Sequence, residues 1–408
     1  MVKNAHPSAL PPEPRTDAPR ADRIRQTFSV PFEYDVIFTR DALHASNRAL
    51  VDVLGMREPS RRHSVLAVVD DGLQLAWPEL RGWLRGYFEH HADRISLRGD
   101  AVTVVGGEAA KNDPGIVQRL HAAFQGHHLD RQSFVLILGG GAVQDAAGYA
   151  AATAHRGIRT VRMPTTVLGQ SDSGIGVKNG VNLFGSKNFA GTFVPPFAVL
   201  NDERFLERLP RRDRIAGLAE AIKVALIRDA QFFAAIEKDA ARLASFDRVA
   251  TAAAIRRSAQ LHLRQIATGG DPFEQGSARP LDFGHWAAHK LETLTSHELR
   301  HGEAVAIGLV LDSRYSVEAG LLREADFERI FGVVGRVGLP RWHAALLAPG
   351  ADGRLAILQG LDDFREHLGG DLTVTLLAGI GSAVDVHEIH DRLVEKALAW
   401  LRGAMTAS

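Results

Sequence analysis

Hydrophobic positions follow two different periodicities in the two halves of the chain. In the first half, short apolar runs at residues 64–69, 101–105 and 133–138 are each followed by Asp or Gly and then by a helical pattern. Strand, turn and helix repeated in this order predict a parallel α/β sheet. Apolar and polar residues alternate over residues 27–39, which predicts a hairpin or edge strands.

After about residue 205 the hydrophobic period becomes helical, with one late strand candidate at residues 372–377. The predicted helices span residues 212–228, 248–267, 285–294 and 303–319. We therefore predict three segments, with a ligand cleft between the second and the third. They are a disordered N-terminal tail at residues 1–25, an α/β nucleotide-binding domain with a parallel sheet at residues 26–204, and a mainly α-helical domain at residues 205–408.

Composition and charge narrow the classes of function. Lys plus Arg number 48 and Asp plus Glu number 48, so the balanced charge gives no reason to expect nucleic acid or an anionic membrane as a partner. The chain has no cysteine, which excludes disulfides and thiolate nucleophiles and leaves His and carboxylates as metal ligands. We find no signal peptide and no apolar stretch of about 20 residues, so we expect a cytoplasmic protein.

A run of three glycines directly follows the third apolar run. Gly139, Gly140 and Gly141 precede a helix predicted from Ala142, so free backbone N–H groups and the helix dipole would face a bound anion. We interpret the run as a pyrophosphate-binding loop. The alternative is an ordinary tight turn, because Gln144 stands where the usual dinucleotide fingerprint has its third glycine.

A second glycine turn favours the nucleotide interpretation. Gly106 and Gly107 follow the preceding strand, with Glu108 next and Lys111 one helical turn later. Asp70, at the end of the first run, could accept hydrogen bonds from ribose hydroxyls, although an Asp after a strand is also a common turn former. We expect all of these residues to lie at the cofactor.

Histidines and carboxylates in the second half could form a metal site. Glu220 stands three residues before Lys223 on a predicted helix, so the two side chains project from neighbouring parts of one face. A catalytic zinc needs three protein ligands and one open position. The residues alone leave the choice open among His285, His289, His297, His301 and Glu303.

Four longer motifs carry a stronger signal. They are GGGAVQDAAGYAAATAHRGIRTVRMPTTVLGQSDSGIGVKNGVNLFGSKNFAGTF at 139–193, GLAEAIKVALI at 217–227, DFGHWAAHKLE at 282–292 and RHGEAV at 300–305. Together they resemble the dehydroquinate synthase superfamily of sugar-phosphate cyclases, over roughly residues 64–381. The resemblance implies a two-domain fold, bound NAD, one divalent metal, usually Zn²⁺ with Co²⁺ as the alternative, and a homodimer.

The resemblance also implies roles for individual residues. Glu220, His285 and His301 occupy the metal-ligand positions, His289 that of a substrate-contacting histidine, and His297 becomes a loop residue. Arg156 falls on a phosphate-contacting arginine that is often lent by the other subunit. The positions for cofactor and substrate fall on Asp145, Thr165, Thr166, Asp172, Lys178, Lys187 and Asn188.

The family reaction is redox-neutral overall. NAD oxidises a ring hydroxyl to a ketone, phosphate leaves, the hydride returns, and the ring reopens and closes by an aldol step. Metal would polarise the hydroxyl and the transient carbonyl, while Lys178, Lys187, Lys223 and Arg156 would neutralise phosphate and enolate charge. Each lysine taken alone could instead be a solvated surface charge.

The chain departs from dehydroquinate synthase where that enzyme holds a substrate carboxylate. Counted without gaps from His285, the lysine position holds Arg264, the arginine position holds Ala278 with Arg279 next to it, and the asparagine position holds Asp282. An Asp beside a substrate carboxylate costs about 1–4 kcal/mol at about 4 Å, whereas it could accept a hydrogen bond from a neutral hydroxymethyl group.

Further positions resemble the sedoheptulose 7-phosphate cyclases. Arg365 and Glu366 replace a Lys-Lys pair, His367 follows, and QTFSVPFEYDVIFT stands at residues 26–39. We therefore predict a cyclase that makes 2-epi-valiolone or 2-epi-5-epi-valiolone. The alternatives are 3-dehydroquinate synthase, a metal-dependent alcohol dehydrogenase of the same fold, and a non-catalytic scaffold. The predicted catalytic residues are Lys178, Lys223, His289, Asp282, Arg264, His367 and Arg156.

Overall fold

The computed structural model describes residues 23–273, 280–350, 353–367 and 369–406. It divides into two units, Met1–Phe32 and Glu33–Ser408, which we describe separately. In the first unit, residues 23–32 contain no helix or strand. Most of the tail predicted at residues 1–25 lies outside the described residues. Among the described helices, none has the length and apolar character needed to cross a membrane.

A seven-stranded sheet forms the centre of the N-terminal domain in the second unit. Its strands follow the order β1-β9-β6-β5-β2-β3, with β4 also paired to β2, and its described ladders are parallel. A separate antiparallel hairpin consists of β7 and β8. The strands are β1 Asp35–Thr39, β2 His63–Asp70, β3 Ile95–Leu97, β4 Val102–Val104, β5 Phe134–Gly139, β6 Arg159–Pro164, β7 Lys178–Leu183, β8 Ser186–Phe193 and β9 Ala198–Asp202.

Helices cover both faces of this sheet, which explains its continuous apolar strands. In β2, Val65 and Val69 pack on one face, whereas Leu66 and Val68 pack on the other. The predicted apolar runs correspond to β2, β4 and β5. The helices of this domain are α1 Ala49–Gly55, α2 Asp71–Ala76, α3 Leu80–His90, α4 Ala109–Asn112, α5 Pro114–Gly126 and α6 Gly141–Thr153, followed by a π-helical turn at Gly169–Ser173.

Of the two alternatives predicted at residues 27–39, the hairpin is wrong and an edge strand is present. Only Asp35–Thr39 forms a strand, and this strand is an edge of the sheet that pairs with β9 in parallel. Pro31 has no N–H to donate to a ladder, which helps to explain why the alternating pattern before residue 35 does not become a strand. The pattern also gave no indication of the β7–β8 hairpin, whose sequence is rich in Gly and Asn.

The C-terminal domain is mainly helical, as predicted, with one small hairpin of β10 Val374–Gly379 and β11 Ser382–Val386. The last strand of the parallel sheet ends at Asp202, so we retain residue 204 as our proposed boundary. The helices are α7 Arg211–Ala216, α8 Leu218–Arg228, α9 Ala230–Ala244, α10 Arg248–Thr268, α11 His285–Leu294, α12 His301–Glu318, α13 Glu324–Val337, α14 Gln359–His367 and α15 Asp391–Thr406.

The single helix predicted at residues 212–228 is divided at Gly217 into α7 and α8. A Cβ on Gly217 would lie 2.6 Å from the backbone N of Leu168, so this position requires glycine where the helices meet the loop after β6.

Helices α11 and α12 approach each other at two glycines. Gly284, directly before α11, has a φ of 79°, and a Cβ on Gly308 of α12 would lie 2.1 Å from Gly284 O. Asp312 strengthens this contact, because its carboxylate accepts from Gly284 N at 3.0 Å and from Trp286 Nε1 at 2.9 Å. The start of α11 is therefore fixed against α12.

We expect Gly308→Ala to lower the free energy of unfolding by about 1–3 kcal/mol, because the new methyl group overlaps a backbone oxygen. Gly86→Ala is the matched control, since nothing lies within 4 Å of a Cβ there and the position is inside helix α3. The control change should raise the free energy of unfolding by about 0.5–1 kcal/mol, because alanine is favoured over glycine inside a helix. Denaturant titration measures both, and equal effects of the two changes would contradict the close approach.

Candidate active site

Four loops meet at the carboxyl-terminal edge of the parallel sheet. They follow β2, β4, β5 and β6, which run in the same direction and so end at the same edge. The order of strands reverses between β2 and β5, because β3 and β4 lie on one side and β6 and β9 on the other. Such a switch point is where open α/β sheets bind ligands.

A cavity of about 550 Å³ occupies this edge. Asp70, Gly106, Gly140 and Thr166 line it from the sheet side, and His301 lines it from the helical domain. A Cβ on Gly106 would lie 2.6 Å from Asp70 Oδ1, so the backbone comes close to the carboxylate only because this residue is glycine. The cavity therefore joins the glycine loops to a predicted metal ligand.

The three-glycine run makes a strand-to-helix turn. Gly139 ends β5, Gly140 is the N-cap of α6 and Gly141 is its first residue. Thr165 N donates to Gly139 O at 3.0 Å, and Thr166 Oγ1 accepts from Gly169 N at 3.0 Å. The N-terminus of α6 and its free N–H groups thus face the cavity, as anion binding requires.

Asp70 forms a turn and also lines the cavity. Its Oδ1 accepts from Leu73 N at 3.1 Å, which caps helix α2. Burial raises the pKa of Asp70. The turn-forming role is therefore present, and contact with a ribose stays a prediction.

Three other predicted cofactor residues of this domain, Lys111, Asp145 and Asn188, bond to one another. Buried Lys111 lies 2.8 Å from Asp145 Oδ2 and also donates to Asn188 Oδ1. Glu108 accepts from Asn182 Nδ2 at 2.6 Å. These bonds tie α4 to α6 and to the β7–β8 hairpin, so the network fixes the hairpin beside the glycine loops.

Glu220, His285 and His301 come together in the helical domain. Glu220 Oε1 lies 3.5 Å from His285 Nε2 and 3.7 Å from His301 Nε2. One ligand atom from each residue lies within 4.8 Å of the other two. Ligands about 2.1 Å from a tetrahedral ion are about 3.4 Å apart, so the set has nearly the spacing that zinc requires.

Three helix beginnings create this arrangement. Glu220 lies in the first turn of α8, and His285 and His301 are the first residues of α11 and α12. Helix α12 packs against both α8 and α11. The three side chains therefore converge although they are far apart in sequence.

The Glu220 carboxylate is suited to a cation. Its side chain is 1% exposed and contacts Lys223, yet neither oxygen accepts a hydrogen bond of normal geometry from the described residues. Although burial disfavours its charge, Lys223 and the two histidines hold the pKa of Glu220 well below its usual value. A buried, charged carboxylate between two imidazoles is a donor set that fits a divalent metal.

A second set of candidate ligands shares His301. One ligand atom each from His289, Glu292 and His301 lies within 4.8 Å of the others. Burial lowers the pKa of His289 to about 3, which keeps its ring neutral. However, both oxygens of Glu292 already have partners, since Oε1 lies 2.8 Å from Lys187 Nζ and Oε2 lies 3.3 Å from His301 Nδ1. Glu220 contacts Lys223 through Oε2 alone, and its Oε1 faces both His285 and His301, which favours the set that contains Glu220.

Two acidic side chains lie close to these groups. Asp282 ends the short turn Pro280–Asp282 before α11, and although burial disfavours its charge, Lys178 keeps the pKa of Asp282 below its usual value. Asp172 Oδ2 lies 3.9 Å from Lys223 Nζ, and its Oδ1 lies 2.7 Å from His262 Nδ1. Negative charge is thus present beside the metal candidates in addition to Glu220.

Other predicted residues lie on different elements. Arg156 is exposed and follows the C-terminal end of α6, about 20 Å along the helix from the glycine loop. Arg264 is exposed on α10, and His367 is the last residue of α14. Ala278 and Arg279 lie outside the described residues.

Glu292 and His262 are not among the site residues predicted from the sequence. A sequence signal existed for Glu292, because His285, His289 and Glu292 have the spacing i, i+4, i+7 and share one face of α11. His262 had no comparable signal, since its partner Asp172 belongs to a distant turn.

Comparison with known proteins agrees with this geometry. Profiles of the 3-dehydroquinate synthase N-terminal and C-terminal regions match residues 101–216 and 217–355. A 3-dehydroquinate synthase from Citrifermentans bemidjiense is 41% identical over 249 residues, which are 61% of this chain and 68% of that protein. The chain belongs to the 3-dehydroquinate synthase family.

The chain is also similar to proteins named 2-epi-5-epi-valiolone synthase. A 2-epi-5-epi-valiolone synthase from Actinoplanes sp. is 33% identical over 367 residues, 87% of each chain. The structure of ValA, a 2-epi-5-epi-valiolone synthase from Streptomyces hygroscopicus subsp. jinggangensis 5008 with NAD⁺ and Zn²⁺ bound, is 32% identical and covers 93% of this chain and 100% of that one with a TM-score of 0.82. The predicted superfamily and fold are confirmed, and the protein is a sugar-phosphate cyclase.

We expect Glu220→Ala, His285→Ala and His301→Ala each to lose most of the bound metal, because each change removes one of three ligands. His289→Ala should keep it. Elemental analysis of the dialysed proteins measures the metal content, and circular dichroism verifies folding. Full occupancy in all three variants refutes the ligand assignment, whereas loss in His289→Ala with retention in Glu220→Ala would favour the other set.

Proposed function

We propose that this chain converts sedoheptulose 7-phosphate into 2-epi-valiolone or 2-epi-5-epi-valiolone with release of phosphate. The proposal depends on the Asp282 carboxylate, which lies three residues before His285. Although burial disfavours its charge, Lys178 keeps the pKa of Asp282 below its usual value. The 2-epi-5-epi-valiolone synthases among its relatives agree with this choice.

The negative charge of Asp282 would discriminate between a substrate with a carboxylate and a neutral sugar phosphate. Repulsion from Asp282 would weaken the binding of a substrate carboxylate about 4 Å away by about 1–4 kcal/mol, depending on the effective dielectric. A neutral hydroxymethyl group would instead donate a hydrogen bond to Asp282, and a bond to a charged acceptor stabilises by about 1.5–3 kcal/mol. Together these effects favour a neutral sugar phosphate.

We propose NAD and one divalent metal, Zn²⁺ or alternatively Co²⁺, as the cofactors. The cavity at the glycine loops fits a dinucleotide, since glycine lets the backbone approach it and helix α6 begins there. Glu220, His285 and His301 would hold the metal, and ValA contains NAD⁺ and Zn²⁺. When bound, the nicotinamide supplies a reversible hydride acceptor and the metal supplies a Lewis acid.

The side chains of this protein would bind and orient the substrate. Lys178 and Lys223 would offset the negative charge of phosphate and enolate. Neutral His289 would accept or donate a hydrogen bond at a sugar hydroxyl. The leaving phosphate can itself take the proton, so the reaction needs no dedicated base.

We also propose a homodimer in which Arg156 serves the partner's site. Arg156 is exposed at the end of α6 opposite the glycine loop, so its own cavity is out of its reach. A guanidinium at that position could bind the phosphate of a substrate held by a second copy.

The second candidate function is that of 3-dehydroquinate synthase, favoured by the 41% identity to one such enzyme. It would require Arg264 or Arg279 to bind the substrate carboxylate near Asp282. A net oxidoreductase related to the metal-dependent alcohol dehydrogenases is the further alternative, and it would accumulate reduced nicotinamide.

We expect phosphate release from sedoheptulose 7-phosphate, without accumulation of NADH, and little release from the seven-carbon acid phosphate of the shikimate route. Phosphate assay and the absorbance of reduced nicotinamide measure the two outcomes. Turnover of the acid alone would replace our proposal with 3-dehydroquinate synthase, and net NADH formation would replace it with an oxidoreductase. Mass spectrometry and NMR of the product identify the epimer.

We expect Asp282→Asn to lower kcat/KM for sedoheptulose 7-phosphate about 5–10-fold, because a neutral amide oxygen is a weaker hydrogen-bond acceptor than a carboxylate. The same change should raise the relative kcat/KM for the acid phosphate, because it removes the repulsion. Asp239→Asn, on the surface of α9, is the control and should change neither value. An unchanged preference in Asp282→Asn would contradict the role of its charge.

A further inference from the structure

Glu292 is a buried carboxylate on α11 that the proposed ligand set does not include. Its Oε2 lies 3.3 Å from His301 Nδ1, and its Oε1 accepts from Lys187 Nζ at 2.8 Å. Each oxygen therefore has a different partner, one in the helical domain and one on the β7–β8 hairpin.

The contact with His301 fixes which nitrogen of that ring is free. When the ring is neutral, as metal binding requires, the Glu292 carboxylate holds the proton on Nδ1 and leaves Nε2 free, the nitrogen that lies 3.7 Å from Glu220. His285 has the same arrangement with a backbone partner, because its Nδ1 lies 3.1 Å from Phe283 O while its Nε2 lies 3.5 Å from Glu220. Both imidazoles thus present Nε2 toward the same carboxylate.

The ammonium of Lys187 offsets the negative charge of the buried Glu292 carboxylate and connects it to the β7–β8 hairpin. Lys187 belongs to β8, and the next residue, Asn188, accepts from Lys111 in the network beside the glycine loops. The Lys187–Glu292 ion pair therefore connects the β7–β8 hairpin to the carboxylate that contacts His301. Because Lys187 and His301 engage one oxygen of Glu292 each, neither oxygen is left to bind a metal.

We infer that Glu292 is the positioning carboxylate of the metal site, which orients His301 for coordination and is itself held by Lys187. This inference rests on the proposed metal site of Glu220, His285 and His301. Carboxylates that accept the second N–H of a metal-bound histidine raise its basicity and fix its ring, and their loss weakens metal binding about 10–100-fold.

The test is the affinity for zinc of metal-free, full-length protein, measured by competition with a chromophoric chelator. We expect Glu292→Gln to raise the Kd for Zn²⁺ about 10–100-fold. Lys187→Met should raise it in the same direction, and the double variant should show less than the product of the two single effects, because both changes act on one contact. Glu237→Gln, which breaks an ion pair with Arg329 away from the site, is the control and should bind zinc as the original chain does.

Two further measurements separate positioning from simple stability. The thermal midpoint of each metal-free variant reports folding, and the visible spectrum of the Co²⁺-loaded protein reports ligand geometry. If Glu292→Gln does not fold, Glu292→Asp keeps the charge and shortens the reach, and it should give an intermediate Kd and an altered Co²⁺ spectrum.

A lowered midpoint together with an unchanged zinc affinity and Co²⁺ spectrum would overturn the inference and leave Glu292 a structural residue. Failure of the original chain to bind zinc through Glu220 would instead overturn the proposed metal site. Because that second result is read from the original chain and Glu220→Ala, the two failures are distinguishable.

Discussion

One negative charge, buried among helices, governs the arrangement of this site. The desolvation of a carboxylate costs several kcal/mol unless nearby positive charge offsets it. Glu220 is almost fully buried, and Lys223, His285 and His301 are the groups that surround it. The beginnings of α8, α11 and α12 meet at this carboxylate, and their packing brings the positive charge that offsets its burial.

Local patterns predicted much of the architecture. The apolar runs located β2, β4 and β5, and the helical period located α11 at the residues where the structure has it. Such elements can be predicted from the sequence because their buried side chains recur every two residues in a strand or every three to four residues in a helix. The same patterns left several histidines open as ligands, and the family resemblance, which compares longer motifs, made the selection.

Features that depend on contacts between residues far apart in the chain could not be predicted from the sequence. The pair Lys187–Glu292 joins a hairpin to a helix across a large part of the chain, and His262 meets Asp172 from another element. Nothing in the local sequence of either residue shows its partner. The β7–β8 hairpin is similarly hidden, because Gly and Asn within it weaken the alternating pattern that marks a strand.

The glycine contact between α11 and α12 affects how the site tolerates substitution. Since Gly308 lets its helix touch the backbone of Gly284, the separation of the two helices depends on main-chain atoms and not on the bulk of neighbouring side chains. A change in the size of a core side chain elsewhere should therefore shift His285 relative to His301 less than a substitution at either glycine would.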